Sequence, residues 1–488
     1  MPECWTVPLD QHGLVIYFGV RGRPFFFNGH NGAFYDSLPP DAVEALDSLA
    51  KLEETAPAPY GIPIRSNRGR RNGLWKEIQL YQRGTHPDLK PEARQASFCR
   101  RLDPQEIVIY VSRACNLACT YCFNQGGTFG TKPSLMSVET AKDSVAFIRE
   151  MLATSTRRFV TVNLFGGEPL LARSALHTLV HGLQDLNRSG LATKVHIMLS
   201  TNGTIYDQQI FDVLAEEPEC NTVVVTLDAF KEAQDKNRPF RGRRASSYDT
   251  VIANLRRMMD GGIPYSVSCQ VPFPYDYIGA AEELHRLGFE WLEIRLMIRH
   301  VFGQQGLPDV FQDDLELWKE KYLAYCDYYI DYLNANRPAK HNDRRAVLGD
   351  YAKGLDRAGG SPHTLGCGIV EDLISITSDG RAVPCHCFLH EGLELGHVKT
   401  GIDAAQYDRF EKWIFSQGQL RIDVERCRNC YAKLLCGGGC YAASYDRARR
   451  LEPLPESSCQ FAREKVKIDL YFISRMRKEH PELLRAVP

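Results

Sequence analysis

The chain has 488 residues, of which 44% are hydrophobic and 24% charged, and its formal net charge is −1. Its length suggests about three domains with a sizeable core, and its near-zero charge excludes a general electrostatic attraction to nucleic acid or anionic membrane. Because no apolar run approaches the roughly 18 residues of a membrane span and no secretion signal opens the chain, we expect a soluble, cytoplasmic protein whose cysteines bind metal rather than form disulfides.

The first residues carry strand-like segments followed by a helical pattern. Gly13–Val20 and Arg23–Phe27 are predicted strands, Phe34–Tyr35 adds a third, and Pro39–Leu52 has helical spacing. We therefore predict a small α+β region over residues 1–56. It is compatible with peptide recognition by addition of a strand to a sheet edge, and a plain structural cap is the alternative.

The middle of the chain alternates apolar, β-branched runs with amphipathic stretches. The predicted strands are Ile107–Ser112, Val160–Phe165, Val195–Ser200, Val223–Asp228, Ser266–Val271 and Leu292–Ile298. The helical patterns between them include Val138–Met151, Ala175–Leu186 and Val251–Asp260. Near-continuous apolar strands separated by helices predict parallel βα units, and so an α/β fold.

Three cysteines follow the first of these strands in the spacing C-x3-C-x2-C, at Cys115, Cys119 and Cys122. Three thiolates on one short loop can hold three irons of a cubane [4Fe–4S] cluster, which leaves the fourth iron without a protein ligand and able to bind a small molecule. The alternatives are half of a zinc site or cysteines that cluster by chance. A zinc site normally needs four nearby ligands, and none follows directly here.

This cysteine spacing, with Tyr121 inside it and Phe123 after it, resembles the radical S-adenosylmethionine (SAM) enzymes. The resemblance implies that the fourth iron chelates the amino and carboxylate groups of SAM. It also implies that an electron from the cluster cleaves SAM to methionine and a 5′-deoxyadenosyl radical, which removes hydrogen from a substrate. The fold it implies is a partial (βα)6 barrel, an incomplete relative of the eight-stranded TIM barrel.

Polar motifs also follow the next three predicted strands. Gly166-Gly167-Glu168-Pro169 follows the second, Ser200-Thr201-Asn202-Gly203 the third, and Asp228 closes the fourth. Active sites of parallel barrels assemble from loops at this end of the strands, so we expect all of these motifs at one rim.

The resemblance implies a SAM contact for several of these residues. Gly166, Gly167 and Glu168 would meet the amino group, and Ser200 and Asn202 the ribose hydroxyls. Arg238 would reach the carboxylate, and Tyr121 would pack near the adenine. Structural alternatives remain open: a tight strand-to-helix turn for the glycine motif, a surface arginine at a turn, and an ordinary core aromatic for Tyr121.

A second cysteine pattern occupies the C-terminal region. It consists of Cys367, Cys385, Cys427, Cys430, Cys436, Cys440 and Cys459. The spacing resembles the SPASM extension of radical SAM enzymes that modify peptides and proteins. A zinc ribbon built from four of the central cysteines is the alternative.

The SPASM resemblance implies two auxiliary [4Fe–4S] clusters in addition to the one that binds SAM. One would be closed by Cys427, Cys430, Cys436 and Cys459. The other would take Cys367, Cys385 and Cys440 as three ligands. Either Cys387 supplies its fourth ligand, or one iron stays open and can bind a substrate thiolate. His386, between Cys385 and Cys387, could be a ligand or a neighbour of the cluster, but we predict a solvated loop histidine.

We accordingly predict five regions along the chain. They are an N-terminal α+β region (1–56), a linker (57–104), the radical SAM partial barrel (105–305), a bridging helical region (306–360) and a SPASM auxiliary-cluster domain (361–488). In the bridging region the tyrosine-rich segment Asp313–Asn334 is predicted to be a packing helix, and Leu454 to Glu479 is predicted to form a closing helix.

The motifs at residues 119–130 and 238–240 most resemble maturases that form sulfur-to-carbon thioether bridges, such as ranthipeptide maturases and the maturase of the quinohemoprotein amine dehydrogenase small subunit. The implied partners are a cysteine-containing peptide or small protein and an electron donor such as flavodoxin or ferredoxin. We expect neither nucleic acid nor membrane as a partner. The competing hypotheses are a cyclophane-forming maturase, a formylglycine-forming sulfatase maturase and a non-catalytic iron–sulfur or zinc module.

Overall fold

The structure is a computed structural model. It describes residues 4–8, 15–28, 34–36, 102–122, 124–128, 132–271, 274–289, 292–296, 315–335, 369, 372–389, 392–416, 427, 430–436, 438–442 and 456–480.

Six parallel strands form the centre of the fold, and they neighbour one another in chain order. They are β5 (Glu106–Ser112), β6 (Phe159–Gly166), β7 (Lys194–Thr201), β8 (Asn221–Thr226), β9 (Tyr265–Val271) and β10 (Leu292–Leu296). The helices between them are α1 (Val138–Leu152), α2 (Arg173–Arg188), α3 (Gln208–Ala215), α4 (Lys231–Asn237), α5 (Ser247–Asp260) and α6 (Tyr277–Arg286). The predicted α/β partial barrel is confirmed.

Alternation along the strands gives the sheet a helix-covered face and an inner face. On β6 the buried Val162 and Leu164 belong to the same core as Leu176 of α2, whereas Asn163 and Phe165, which point to the other face, are half-buried. Successive strand residues point to opposite faces, so the half-buried set lines the inside of the open barrel. The inner face is therefore available for polar groups.

Local sequence signals explain where several helices begin. Ser137, Asp207 and Ser246 precede α1, α3 and α5, and each side chain accepts a hydrogen bond from a backbone N–H in the first turn. Such caps satisfy N–H groups that have no partner inside the helix. They fix the point at which each loop from the sheet turns into its helix.

The C-terminal region extends the barrel sheet beyond β5. Strand β11 (Leu373–Ile376) pairs parallel with β5, and β12 (Arg381–Val383), β13 (Gly396–His397) and β14 (Gly401–Ile402) continue the sheet antiparallel. Helix α8 (Ala404–Ser416) follows β14 directly. The sequence had predicted a separate C-terminal domain without predicting this strand pairing.

The N-terminal residues form a second sheet, antiparallel and ordered β1-β2-β3-β4. Its strands are β1 (Cys4–Pro8), β2 (Val15–Val20), β3 (Arg23–Asn28) and β4 (Phe34–Tyr35). Three of them match the predicted segments, and β1 was not predicted. The predicted helix Pro39–Leu52 and most of the predicted linker lie outside the described residues.

Two long helices connect the N-terminal sheet to the rest of the molecule. They are α7 (Leu315–Ala335) and α10 (Glu456–Glu479), and the short helix α9 (Lys433–Cys436) lies between them in the chain. Phe25 of β3 packs edge-on against Tyr471 of α10, with ring centroids 6.3 Å apart. The Tyr322 hydroxyl of α7 donates to Asp469 Oδ1 of α10 at 2.8 Å. Tyr322, Tyr325 and Tyr329 of α7 are buried in the core, in agreement with the predicted packing role. In the described part of the chain, no helix has the length and apolar character to cross a membrane.

Candidate active site

The cysteine loop after β5 is bound along its backbone to the segment 237–241. Ala118 N donates to Pro239 O and Thr120 N to Asn237 O, each at 2.8 Å. In the reverse direction, Arg241 N donates to the carbonyl of Asn116, also at 2.8 Å. This antiparallel pairing fixes the path of the loop between Cys115 and Cys122.

Gly166 and Gly167 bring the end of β6 against the same loop. A Cβ on Gly166 would lie 2.2 Å from Ser112 O, and one on Gly167 would lie 2.3 Å from Ala114 O. Gly166 also has a φ of +144°, which side-chain-bearing residues rarely adopt. The backbone N–H of Gly167 donates to Ser112 O at 2.9 Å. In this structure the two glycines are required for contact with the cysteine loop, and their predicted contact with SAM stays a prediction.

Glu168 is fully buried and joins the end of β6 to the end of β7. Its carboxylate accepts hydrogen bonds from Leu170 N at 3.0 Å, from the Thr201 hydroxyl at 2.9 Å and from Asn202 N at 2.8 Å. Burial raises the pKa of Glu168, while the N–H groups of Asn202 and Leu170 act in the opposite direction. The side chain thus holds the turn that carries Asn202.

The carboxamide of Asn202 is directed at the first cysteine. Its Nδ2 donates to Asn116 Oδ1 at 2.8 Å and to Cys115 Sγ at 3.6 Å. Its Oδ1 accepts from Thr204 N at 3.0 Å and from the Thr204 hydroxyl at 2.6 Å. The predicted ribose residue Ser200 lies on the inner face of the sheet, where its hydroxyl donates to Asn163 Oδ1 at 2.9 Å. The structure therefore separates the two predicted ribose residues, with only Asn202 at the cysteine loop.

Tyr121, Asp228 and Arg238 form a buried polar triad beside the loop. The Tyr121 hydroxyl donates to Asp228 Oδ1 at 2.8 Å and accepts from Arg238 Nη1 at 2.9 Å. Asp228 is fully buried and Arg238 is 5% exposed. Burial opposes the charge of Arg238, but Tyr121, Cys119 and Asp228 raise its pKa above its ordinary value. Arg238 is therefore a buried, permanently charged group near Cys119.

The three thiols differ in their surroundings. Burial raises the pKa of Cys115 to about 11, although hydrogen bonds from Leu117 N and Asn202 lower it in part. Burial also raises the pKa of Cys119, and Arg238 acts against this rise. Cys122 Sγ accepts from Gly126 N at 3.2 Å. Hydrogen-bond donors and a cation around the sulfurs favour thiolates, the form that binds iron.

The chemistry of this site fits a cluster and a zwitterionic ligand. Thiolates are the usual ligands of iron–sulfur clusters. Asp228 Oδ2 and Arg238 Nε are buried without a hydrogen-bond partner among the described residues; Asn237 lies near Asp228 but outside hydrogen-bonding geometry. A ligand with an ammonium and a carboxylate group, as SAM has, suits such a pair. Within the described ranges, no three His, Cys, Asp or Glu side chains are grouped closely enough to hold a single metal ion.

The four cysteines predicted to close one auxiliary cluster lie in the same part of the structure. Cys430, Cys459 and Cys427 are near enough to Cys436 to act on its thiol, whose pKa is raised to about 11, mainly by burial. Arg463 of α10 is also close to Cys430 and opposes the rise in pKa that burial causes there.

Only some of the cysteines predicted to bind the other auxiliary cluster lie among the described residues. Cys367 lies outside the described residues. Cys385 is buried, Cys387 is half-buried and Cys440 is exposed. Cys385 and Cys387 pack in the same small core as Tyr441, the residue after Cys440. This arrangement is compatible with Cys385 and Cys440 in one ligand set, and the role of Cys387 stays a prediction.

Tyr110 of β5 lies between the two cysteine regions, and the sequence did not single it out. Its hydroxyl donates to the backbone carbonyl of His386 at 2.7 Å. Burial raises the pKa of Tyr110, and Cys387, Cys385 and Cys122 add to the rise. Because β11 pairs with β5, the turn at 385–387 lies over the first barrel strand, close to the loop of Cys122. Only the tertiary pairing reveals this proximity.

Asn116, Thr201 and Thr204 are further residues that sequence reasoning missed. Each lies within or next to a recognised motif, and each contributes a side-chain hydrogen bond to the network around Asn202 or Glu168. Their position beside the motifs was the available signal. Asp228 was noticed at the rim, but no role was assigned to it.

Comparison with known proteins shows what this site is similar to. Residues 109–288 match the model of the Radical SAM superfamily. The cysteine-type anaerobic sulfatase-maturating enzyme of Clostridium perfringens (strain 13) is 23% identical over 349 residues, which are 67% of this chain and 86% of that enzyme. The serine-type anaerobic sulfatase-maturating enzyme of Klebsiella aerogenes is 23% identical over 338 residues, which are 68% and 78% of the two chains.

Solved structures share the fold over more of the chain. The structure of anSMEcpe with bound AdoMet has a TM-score of 0.60 at 20% identity and covers 79% of this chain and 96% of its own. A second structure of anSMEcpe contains AdoMet and the Cp18Cys peptide, with a TM-score of 0.58. SuiB of Streptococcus suis, bound to S-adenosylmethionine, has a TM-score of 0.51 at 15% identity and covers 92% of this chain and 96% of its own.

Proposed function

We propose that this chain, a radical SAM enzyme whose superfamily domain spans residues 109–288, installs thioether crosslinks in a ribosomally made peptide or small protein. The crosslink would join the sulfur of a substrate cysteine to a side-chain carbon of the same substrate. Each bridge removes two hydrogens from the substrate. The carbon would give a hydrogen atom to the deoxyadenosyl radical, the thiol would lose a proton, and the remaining electron would leave through the auxiliary clusters.

Cys115, Cys119 and Cys122 would hold the SAM-binding cluster, which supplies reductive cleavage of SAM and so the radical that removes the carbon-bound hydrogen. Around it, Glu168 and Asn202 fix the position of Cys115, and Tyr121, Asp228 and Arg238 form the charged wall beside Cys119. Arg238 would bind the SAM carboxylate with its remaining donors. Ser200, on the inner face, would meet the ribose.

One observation carries the proposal beyond SAM cleavage. Strand β11 joins the barrel sheet at β5 and places Cys385 and Cys387 near Tyr110, which is also near Cys122. A second cysteine set so close to the radical-forming loop suits an enzyme that handles a substrate thiol near the reacting carbon. Holding both groups on one scaffold replaces a bimolecular encounter.

The C-terminal thiols would bind two auxiliary clusters. The convergence of Cys427, Cys430, Cys436 and Cys459 supports the closed one. Cys367, Cys385 and Cys440, with or without Cys387, would bind the other. An electron donor such as flavodoxin or ferredoxin would reduce the SAM-binding cluster.

The N-terminal sheet would recognise the substrate. It packs on α10 through Phe25 and on α7 through the ion pair of Arg21 with Asp327, at 3.2 Å. Its outer strands β1 and β4 each have one neighbour in the described sheet, so an extended peptide could add to an edge. The anSMEcpe structures cover about four-fifths of this chain while matching nearly all of their own length, so this chain contains additional sequence.

The second candidate function is formation of formylglycine in a protein substrate. It is favoured by the similarity to cysteine-type and serine-type sulfatase-maturating enzymes over two thirds of this chain. It would use the same SAM site but leave an aldehyde in place of a cysteine thiol or serine hydroxyl.

Anaerobic reconstitution followed by mass spectrometry tests these functions. The loaded protein should contain about twelve irons per chain and form deoxyadenosine when dithionite and SAM are supplied. Where a small cysteine-rich protein is encoded beside this chain, that protein is the substrate to incubate with it. A thioether product loses two hydrogens per bridge together with one alkylatable thiol. Formylglycine reacts with an aldehyde probe, whereas a cyclophane keeps its thiols. Protein that loads iron but never cleaves SAM contradicts every enzymatic alternative.

A further inference from the structure

Three sequence motifs are joined by one chain of hydrogen bonds that ends on a cysteine sulfur. The carboxylate of Glu168, in the motif after β6, accepts from the backbone N–H of Asn202, in the motif after β7. The side chain of Asn202 then donates to Sγ of Cys115, in the loop after β5. The ends of three neighbouring strands are therefore coupled at this sulfur.

Both the amide nitrogen and the carbonyl oxygen of the Asn202 side chain already make hydrogen bonds within the protein. An Asn side chain offers two N–H donors and a carbonyl oxygen with two lone pairs. Asn116 and Cys115 take the donors, and both hydrogen bonds to the oxygen come from Thr204. The residue is 6% exposed. A group in this state is poorly placed to bind ribose hydroxyls, the role that the sequence predicted for it.

We infer that Asn202 is a positioning residue for the SAM-binding cluster, and that its hydrogen bond to Cys115 raises the reduction potential of that cluster. The inference rests on the proposed radical SAM function. The reduction potential of an iron–sulfur cluster depends on hydrogen bonds to its sulfurs. Reduction adds negative charge, part of which lies on the cysteine sulfur, so an N–H donor stabilises the reduced state more than the oxidised state.

The surroundings hold the donor in place. Glu168 accepts from the Asn202 backbone and also from the Thr201 hydroxyl, so the turn has two attachments to one buried carboxylate. On the other side, the Asn116 side chain donates to the Thr204 hydroxyl at 2.8 Å. With both backbone and side chain fixed, the direction of the N–H group toward Cys115 does not depend on a bound substrate.

The test compares Asn202→Ala and Asn202→Asp with the unchanged enzyme, each reconstituted anaerobically. The EPR signal that changes on addition of SAM identifies the cluster of this loop, and its midpoint potential is measured by redox titration. We expect a lower midpoint potential in both variants. The shift should correspond to a tenfold change in the reduction equilibrium, which is about 59 mV for one electron. Asn202→Asp should shift further because it adds negative charge. The SAM dissociation constant should change less than about twofold.

Asn254→Ala is the matched control, because Asn254 Nδ2 donates to Gly203 O at 2.8 Å in the same turn without contacting a cysteine. It should load iron and keep the potential of the unchanged enzyme. Loss of the loop's iron in both Asn202 variants but not in the control would still support the positioning role.

An unchanged midpoint potential in an iron-loaded Asn202 variant overturns the inference. If SAM also binds more weakly at that unchanged potential, the result would instead support the predicted role of Asn202 in binding the ribose. Iron loss in the control as well would show collapse of the turn, which also overturns it. None of these results affects the proposed function, which fails only if the unchanged enzyme does not cleave SAM.

Discussion

The two cysteine regions of this molecule are held in different ways. The loop of Cys115, Cys119 and Cys122 is attached to the segment 237–241 by backbone pairing. It is attached to the ends of β6 and β7 by the glycines after β6 and by the Glu168–Asn202 connection. Among the described residues, the C-terminal group around Cys436 is held by short local hydrogen bonds, such as Cys430 N to Cys427 O at 3.0 Å, and by Arg463 beside Cys430.

Under the proposed function, this difference corresponds to two ways of holding a cluster. A loop that must leave one iron open for a ligand cannot rely on a fourth cysteine, so the protein itself fixes the three thiols. A site closed by four thiols can rely on the metal to complete it, as structural metal sites do. Four experiments test this difference between the two cysteine regions.

The largest effect should come from removing thiols. Replacing Cys115, Cys119 or Cys122 with Ala should abolish SAM cleavage, because three ligands are the minimum that holds the SAM-binding cluster. Replacing Cys436 or Cys440 should leave deoxyadenosine formation intact and eliminate the modified product. Deoxyadenosine and product are measured in the same reaction by chromatography and mass spectrometry. Normal product from Cys436→Ala would show that the C-terminal thiols serve no catalytic purpose.

A steric substitution next to the first loop should have the next largest effect. Gly166→Ala places a methyl group against Ser112 O and should cost ~1–3 kcal/mol beyond the strain of its positive φ, with loss of iron from the loop. Gly190→Ala is the control, since Gly190 also has a positive φ but open space around its Cα. It should cost only ~1–2 kcal/mol and keep all iron. Denaturant unfolding measures the stability of both variants, and iron analysis measures their iron content. Equal effects of the two substitutions would contradict a specific steric role for Gly166.

Removal of metal should affect the two cysteine regions differently. In chelator-treated protein the amides of Ala118 and Thr120 should remain protected from hydrogen exchange, because their hydrogen bonds run to the segment 237–241. Amides at Cys430 and Cys436 should exchange more than about tenfold faster than in loaded protein. Mass-spectrometric hydrogen exchange of the two forms gives the answer. Equal loss of protection in both regions would contradict the idea of a preformed first loop.

The smallest effect should follow from weakening the protein's own support for the C-terminal group. Arg463 lies near Cys430, and Arg463→Gln should lower iron retention at this site by about tenfold, the lower end of what supporting residues contribute. SAM cleavage should be unchanged. Iron release to a chelator, followed over time, measures the effect. A change much larger than this would mean that the protein holds the second site as firmly as the first.

Much of the fold followed from local pattern. The six parallel strands were predicted within a few residues, because buried parallel strands are apolar along nearly their whole length. The helix bounds also agreed; α5 begins four residues before the predicted Val251, at Ser247. The strand β1 and the joining of β11 to β5 were missed. β1 pairs with the neighbouring β2 but is only five residues long, too short to show a clear strand pattern, whereas β11 pairs with β5, which is distant in the chain.

The candidate site likewise contains residues that could be predicted from the sequence and contacts that could not. Its thiols could be named from spacing, since a cluster loop needs cysteines close together in sequence. The glycines, Glu168 and Arg238 were named through the resemblance to radical SAM enzymes. The partners of these groups could not be named. Nothing in the sequence indicates that Tyr121 meets Asp228, or that Asn202 is directed at Cys115 rather than at a ligand.

The amino-acid sequence alone therefore determined the kinds of ligand and the strand ends that carry them, because spacing along a strand or loop is local. The tertiary structure decided which motifs touch, which charges are buried together, and that the second cysteine region lies beside the first strand. These outcomes depend on pairing between strands hundreds of residues apart, as between β5 and β11, and such pairing is settled only when the whole sheet assembles.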